Sequence, residues 1–192
     1  MKRLKRNLHF IFVFLLATAC RVSDTSSEAT QVVKVEDRYE MTLPNSLNLY
    51  EEASLQYGNG KSELFVAVID EDRKELNEVL YQVLKDSLHI KNKKAFVKSF
   101  GLKDYFSICK KGWAEAKMMR PTDKQITETT INKYPAVVVE TTETVNGIGV
   151  FYVVAIVETK KTYYQVFTWT LASKKEKNYQ QMKDIINSLK EL

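Results

Sequence analysis

The hydrophobic and polar positions divide this chain into an apolar segment near its start, a polar stretch, and a long patterned region. The apolar segment runs from Leu8 to Leu16 and follows four cationic residues. Residues 21–34 are mainly small and polar and show no strand or helix period. Regular patterns begin near Arg38 and continue to the end of the chain. We therefore expect a polar tether followed by one folded domain over residues 36–192.

Apolar positions predict strands in the first half of the domain. Tyr39, Met41 and Leu43 alternate with polar residues and stop at a proline, and residues 54–57 precede a Gly-Asn-Gly turn. Residues 64–70, LFVAVID, are apolar on both alternating sets, which is typical of a strand that is buried on both faces.

Helical spacings predict three helices. Residues 72–89 carry apolar side chains at helical intervals after Asp72, a candidate N-cap, and a second helix is expected from 102 to 118. Ser173 and Glu176 have the spacing of a capping box for a final helix. Its expected buried stripe is Tyr179, Met182, Ile185, Ile186 and Leu189.

The last third of the chain predicts an antiparallel meander. Strand patterns at 125–131 and 136–145 are followed by Asn-Gly, the strongest short hairpin signal in the chain. Two further strands, 148–159 and 162–171, are apolar on both faces and must be covered on both sides. The expected fold class is therefore α+β, with a single, mostly antiparallel sheet sandwiched between helices.

The patterned region resembles the PsbP-like α/β/α sandwiches, a group that includes many exported bacterial lipoproteins. Three stretches carry the resemblance: residues 39–58, 63–71 and 136–192. The resemblance implies one PsbP-like α/β/α domain. Its members have unrelated functions, so it assigns no role to any residue of this chain.

The start of the chain resembles a bacterial lipoprotein signal peptide. Cationic residues, the apolar run and small residues lead in that order to Cys20, with Ala17 where a leucine is usual. The apolar run is too short to span a bilayer. The resemblance implies that residues 1–19 are removed, that Cys20 receives a lipid, and that residues 20–35 form a lipidated tether. The alternative is an ordinary secreted protein with a free thiol at Cys20.

These features indicate an exported protein held on the envelope membrane by lipid. Arg21, rather than an aspartate, follows the cysteine, which favours the outer over the inner membrane if the source is Gram-negative. The chain has 29 Lys and Arg against 24 Asp and Glu. Four of those cations lie in the leader, so the remainder has a net charge of +1 and gives no reason to expect a nucleic-acid partner.

Residues with catalytic or metal-binding chemistry are few. Beyond the leader the chain has one histidine, His89, and, once Cys20 is lipidated, one free cysteine, Cys109. A Cys109–His89 catalytic pair is conceivable, but Cys109 falls on the apolar face of its expected helix, where cysteine packs as a small hydrophobe. The acidic triplet 70–72 lacks the loop of a calcium site and suits helix capping. We expect no cofactor, no metal site and no enzymatic activity.

An aromatic face on strand 162–171 is the remaining candidate site. Tyr163, Phe167 and Trp169 share that face with Gln165 and Leu171. These side chains line either a pocket for a flat apolar ligand or simply the core beneath a helix.

The sequence therefore predicts a non-enzymatic, lipid-anchored envelope protein that binds another envelope protein near the membrane. The alternative is a carrier of a small apolar ligand in the aromatic pocket.

Overall fold

The computed structural model describes residues 28–51, 56–87 and 89–192. The predicted leader, Cys20 and the first part of the tether lie outside the described residues.

The described residues form ten strands and four α-helices. In chain order these are β1 Thr30–Val35, β2 Tyr39–Pro44, β3 Asn48–Glu51, β4 Gln56–Asn59, β5 Leu64–Asp72, α1 Arg73–Leu84, α2 Lys93–Ser99, α3 Leu102–Glu115, β6 Ile126–Ile131, β7 Tyr134–Val145, β8 Ile148–Glu158, β9 Thr162–Leu171, α4 Lys175–Asn187 and β10 Lys190–Glu191.

Seven strands form one antiparallel sheet in the order β3-β4-β5-β9-β8-β7-β6. The predicted α+β class and the antiparallel meander are thereby confirmed. A second, unpredicted sheet has the order β1-β2-β10 and is also antiparallel. Asn146 and Gly147 both have positive φ, 51° and 81°, as the hairpin turn between β7 and β8 requires.

The large sheet is covered on both faces. On one face, Val66, Val153 and other side chains pack with α4 and with the small sheet. On the other face, Val154, Ile156 and their neighbours pack with α1, α2 and α3. We call these the α4 side and the three-helix side. Burial on both faces is why the sequence of β8 is apolar almost throughout.

Three sequence expectations are corrected by the structure. Residues 30–35 of the expected tether form β1, because Val33 and Val35 alternate inwards onto the core while Val32 points to solvent.

Ser173 does not cap the last helix: Ala172–Lys174 form a 3₁₀ turn, and α4 begins after it without a side-chain cap. The short helix α2 was not expected.

Candidate functional site

A groove of about 250 Å³ lies on the three-helix side between α1 and α3. Its walls come from the two helices, and its floor includes residues of β5 and β9. The lining residues are Glu71, Leu76, Tyr105, Ile108, Cys109, Gly112, Trp113 and Gln165.

Helix α3 lines the groove because of its residue spacing. Tyr105, Cys109 and Trp113 lie four residues apart, so they share the buried face of the helix. Gly112 lies beside this face, and a Cβ atom placed there would meet nothing within 4 Å. The missing side chain at Gly112 therefore leaves the groove open.

The inner groove residues are joined by a chain of hydrogen bonds. The Trp113 indole N–H donates to Gln165 Oε1 at 3.4 Å, and Gln165 Nε2 donates to the Tyr105 hydroxyl at 3.0 Å. The Tyr105 hydroxyl in turn donates to Glu71 Oε2. The Tyr105 ring stacks on Tyr163 with ring centroids 4.3 Å apart. Such a chain holds the Glu71 carboxylate in one orientation.

Only one carboxylate oxygen of Glu71 is occupied by this chain. Oε1 accepts no side-chain hydrogen bond from the described residues, and it is not among their buried unpaired atoms. None of the described cationic side chains lies within 4 Å of the Glu71 carboxylate. The Arg73 guanidinium, which lies over the Tyr163 ring, pairs with Glu158 instead. Glu71 therefore lines the groove with one carboxylate oxygen that has neither a cationic nor a side-chain hydrogen-bond partner among the described residues.

Burial controls the protonation of the two groups beside Glu71. Desolvation is the main cause that raises the pKa of the Tyr105 hydroxyl, and hydrogen bonding to Glu71 raises it further. Desolvation also raises the pKa of the Cys109 thiol to about 12. Both groups are therefore neutral at physiological pH.

The acidic triplet at the end of β5 has three separate environments. Asp70 pairs with Arg38, Glu71 faces the groove, and Asp72 Oδ1 accepts from the Glu75 N–H at 2.9 Å as the N-cap of α1. The expected helix cap is confirmed. Within the described ranges, no group of three His, Cys, Asp or Glu residues is placed to hold a metal ion.

The predicted aromatic face is mostly core. Tyr163 and Phe167 are buried and contact rings of the helices: Tyr163 lies against Tyr105, and Phe167 meets Trp113 edge to face at 5.9 Å. Trp169 is half-buried and stacks on Phe65 of β5 with centroids 5.5 Å apart. Gln165 is the member of this face that lines the groove. The structure therefore favours the core interpretation for Tyr163 and Phe167.

The two candidate catalytic residues occupy different environments. Cys109 is buried on the core face of α3, as its pattern predicted. His89 is exposed in the turn after α1, has a φ of 51°, and does not line the groove beside Cys109.

A second, larger groove of about 800 Å³ lies between α4 and the small sheet. Most of its lining residues are polar or charged, among them Glu28, Lys61 and Lys177. Glu28 accepts a hydrogen bond from Gln181 at 2.8 Å, so the first described residues lie against α4. This contact places the start of β1 on the α4 side.

In the part of the chain that the structure describes, no helix has the length and apolar character needed to cross a membrane.

Comparisons with known proteins find similarity only among solved structures. No protein-family model and no curated protein matches the chain. Cyanobacterial PsbP (CyanoP) from Synechocystis is 8% identical with a TM-score of 0.48, covering 88% of this chain and 96% of that one. A Bacteroides thetaiotaomicron protein is 10% identical with a TM-score of 0.45, covering 80% of this chain and 45% of that one.

A third similar structure is LpqN, which is involved in cell envelope biogenesis of Mycobacterium tuberculosis. It is 9% identical with a TM-score of 0.35, covering 88% of this chain and 87% of that one. This chain spans less than half of the Bacteroides protein. Because these TM-scores lie below 0.5, nothing about the function of this chain follows from these similarities.

Proposed function

We propose that this protein is a non-enzymatic lipoprotein of the bacterial envelope whose domain binds another envelope protein close to the membrane. The observation that carries the proposal is the order of features at the start of the chain. A cationic segment, an apolar run and small residues lead to Cys20, and the domain begins soon afterwards at Thr30.

The short distance between Cys20 and Thr30 supports a position near the membrane. Even a fully extended chain of this length spans at most roughly 35 Å. That reach is about the diameter of a small domain. A lipid on Cys20 would therefore keep Thr30, where the domain begins, within about one domain diameter of the bilayer.

The environment of the candidate site supports binding rather than catalysis. The thiol of Cys109 is buried and its pKa is raised to about 12, the opposite of the lowered pKa that an activated nucleophile needs. Tyr163 and Phe167 pack against protein rings, which argues against the alternative of a flat apolar ligand beneath them. The open groove with its hydrogen-bonded floor is a feature suited to recognition.

The test is the membrane fractionation of cells that express the wild type, Cys20→Ala and Cys109→Ala. The proposal expects the wild type and Cys109→Ala in the membrane fraction and in the detergent phase of a phase-separating detergent. Cys20→Ala should move to the aqueous fraction, because lipid chains supply the membrane affinity.

Cys109→Ala is the matched control because it removes the only other cysteine. Membrane association of Cys20→Ala equal to that of the wild type would overturn the lipid anchor. An aqueous wild type would overturn it equally.

A further inference from the structure

The groove between α1 and α3 has a feature that the fold itself does not use. Glu71 is held by Tyr105 through Oε2, while Oε1 lacks both a cation and a side-chain hydrogen bond among the described residues. We propose that this groove binds a lysine or arginine side chain from an apolar segment of the partner protein. The inference rests on the proposed partner-binding function and names the surface and the chemistry of that contact.

The negative charge of the Glu71 carboxylate favours a cationic group as the ligand of the groove. A guanidinium or ammonium group at Oε1 would form a charge-assisted hydrogen bond with a carboxylate that is already oriented. Arg73, the cation beside the neighbouring Tyr163 ring, is occupied by Glu158 and by the Thr159 carbonyl at 2.6 Å. The protein's own cations therefore leave the position open.

The size and the apolar walls of the groove favour a single side chain rather than a small molecule as its occupant. Its volume of about 250 Å³ is smaller than the roughly 300–1,000 Å³ of small-molecule pockets. Leu76, Ile108 and Trp113 provide apolar walls above the charged floor. The methylene stem of lysine or arginine packs along such walls while its charged end reaches a polar partner.

The rim of the groove favours a protein rather than a free amine. Ile69, which pairs with Gln165 across the sheet, is 47% exposed, and Ile108 is 41% exposed. On α1, Val79 and Val83 continue the stripe that begins at Leu76 and are 58% and 67% exposed. Exposed aliphatic side chains beyond the groove give apolar contacts to residues that flank the inserted cation.

The groove also lies on the side of the sheet away from the N-terminal strand. Glu28 and β1 contact the α4 side, whereas α1 and α3 cover the opposite face. A partner held in the groove would therefore not compete with Glu28 or with β1.

The test uses a display library of random linear peptides against the immobilised full-length protein in detergent micelles. The proposal expects enriched peptides with lysine or arginine between apolar residues. A synthetic enriched peptide should bind the wild type at least about tenfold more tightly than its citrulline analogue, in which the cation is replaced by a neutral group of the same shape.

Two substitutions test the groove and one controls for the helix. Glu71→Gln removes the charge but keeps an oxygen for Tyr105, and Gly112→Leu fills the open space; each should weaken binding about tenfold or more. Ser107→Leu adds the same leucine at an exposed position of α3 that does not line the groove, and should bind like the wild type. A urea midpoint of Gly112→Leu that is no lower than that of the wild type will show that the folded state is retained.

Three results would overturn the inference: no peptide enrichment, enriched peptides without a cation, or binding that neither Glu71→Gln nor Gly112→Leu weakens. These outcomes are separate from the fractionation of Cys20→Ala. Loss of the anchor with intact peptide binding contradicts the envelope function alone, whereas an intact anchor without peptide binding contradicts the groove alone.

Discussion

Asp70, Glu71 and Asp72 illustrate how strand geometry gives neighbouring residues different tasks. Successive side chains of β5 point to opposite faces of the sheet. Asp70 therefore meets Arg38 on the α4 side, and Glu71 meets Tyr105 on the three-helix side. Asp72 ends the strand and caps α1. The three carboxylates are adjacent in sequence but have different partners in the fold, and only Glu71 lines the groove between α1 and α3.

The Cys109 thiol provides a prediction at this scale. With a pKa of about 12, roughly one thiol in 10⁴ is ionised at about pH 8. In the Cys20→Ala protein, Ellman's reagent should therefore leave native Cys109 unmodified over a time in which the guanidinium-unfolded protein reacts fully. Equal reaction rates in both states would contradict the buried environment.

Sequence patterns predicted the faces on which some groove residues lie, but they did not predict that these residues lie close together in the fold. The pattern placed Cys109 on the buried face of its helix and Gln165 on the face shared with Tyr163, and both placements are confirmed. The groove itself depends on the pairing of β5 with β9 and on α3 crossing above them. That register joins residues that are distant in the chain and cannot be read from local patterns. The available signal was Gln165, the one amide side chain in a strand of aromatic, aliphatic and threonine residues.

Strand β1 is the element whose structure changes the account of the tether. The segment TQVVKV has valine on both faces of the strand, so the alternation of apolar and polar residues that would indicate a strand is not visible in the sequence. Val35 is buried in the core, while Val32 is 60% exposed. The hydrogen bonds to β2 therefore decide its conformation, and residues 30–35 do not belong to the predicted tether.

A matched pair of substitutions tests this strand. Val35→Asp should lower the free energy of unfolding by more than about 2 kcal/mol, because it buries an unpaired carboxylate. Val32→Asp should change it by less than about 0.5 kcal/mol, because that side chain faces water. Urea denaturation measures both, and equal, small effects would restore the tether interpretation of residues 30–35.

Short elements were the ones that the sequence did not predict. Helix α2 has only seven residues, too few turns to show an apolar period, and is held by packing of Phe96 against Tyr81 and Phe100. By contrast, the predicted limits of β9 match the structure, because ten residues with a buried pattern and flanking turns leave little ambiguity. Tertiary contacts, rather than local preference, thus define the weak elements.

Two glycines give a prediction at the level of the elements that contain them. Gly112→Ala should raise the free energy of unfolding by about 0.5–1 kcal/mol, because alanine favours the helix and its Cβ meets open space. Gly58→Ala in β4 should lower it by about 1 kcal/mol or more, because its Cβ would lie 2.6 Å from Phe65 Cδ1. Urea denaturation distinguishes them; the same sign for both would contradict the described packing.

At the scale of the whole molecule, the seven-stranded sheet separates two different surfaces. One side carries α4, the small sheet and the start of β1, and the other carries the groove. The sheet also buries many tyrosines, among them Tyr39, Tyr105 and Tyr164. The first property separates the start of the described chain from the groove, and the second makes stability sensitive to alkaline pH.

Alkaline conditions should unfold the protein more readily. Burial raises the pKa of Tyr164 from 10.0 to about 12 and that of Cys109 from 9.0 to about 12, and it also raises those of Tyr39 and Tyr105. Above about pH 9 the unfolded chain loses protons that the native state keeps, so the free energy of unfolding falls until about pH 12. The urea midpoint should therefore be lower at about pH 10.5 than at about pH 8. An unchanged midpoint would contradict the burial of these groups.

The mass of the N-terminal peptide of the mature protein isolated from cells tests the proposed lipid anchor. We predict that this peptide begins at Cys20 and carries diacylglycerol on the thiol. A peptide that begins at or near Cys20 with an unmodified thiol, or one that retains residues 1–19, would contradict a lipid-anchored domain.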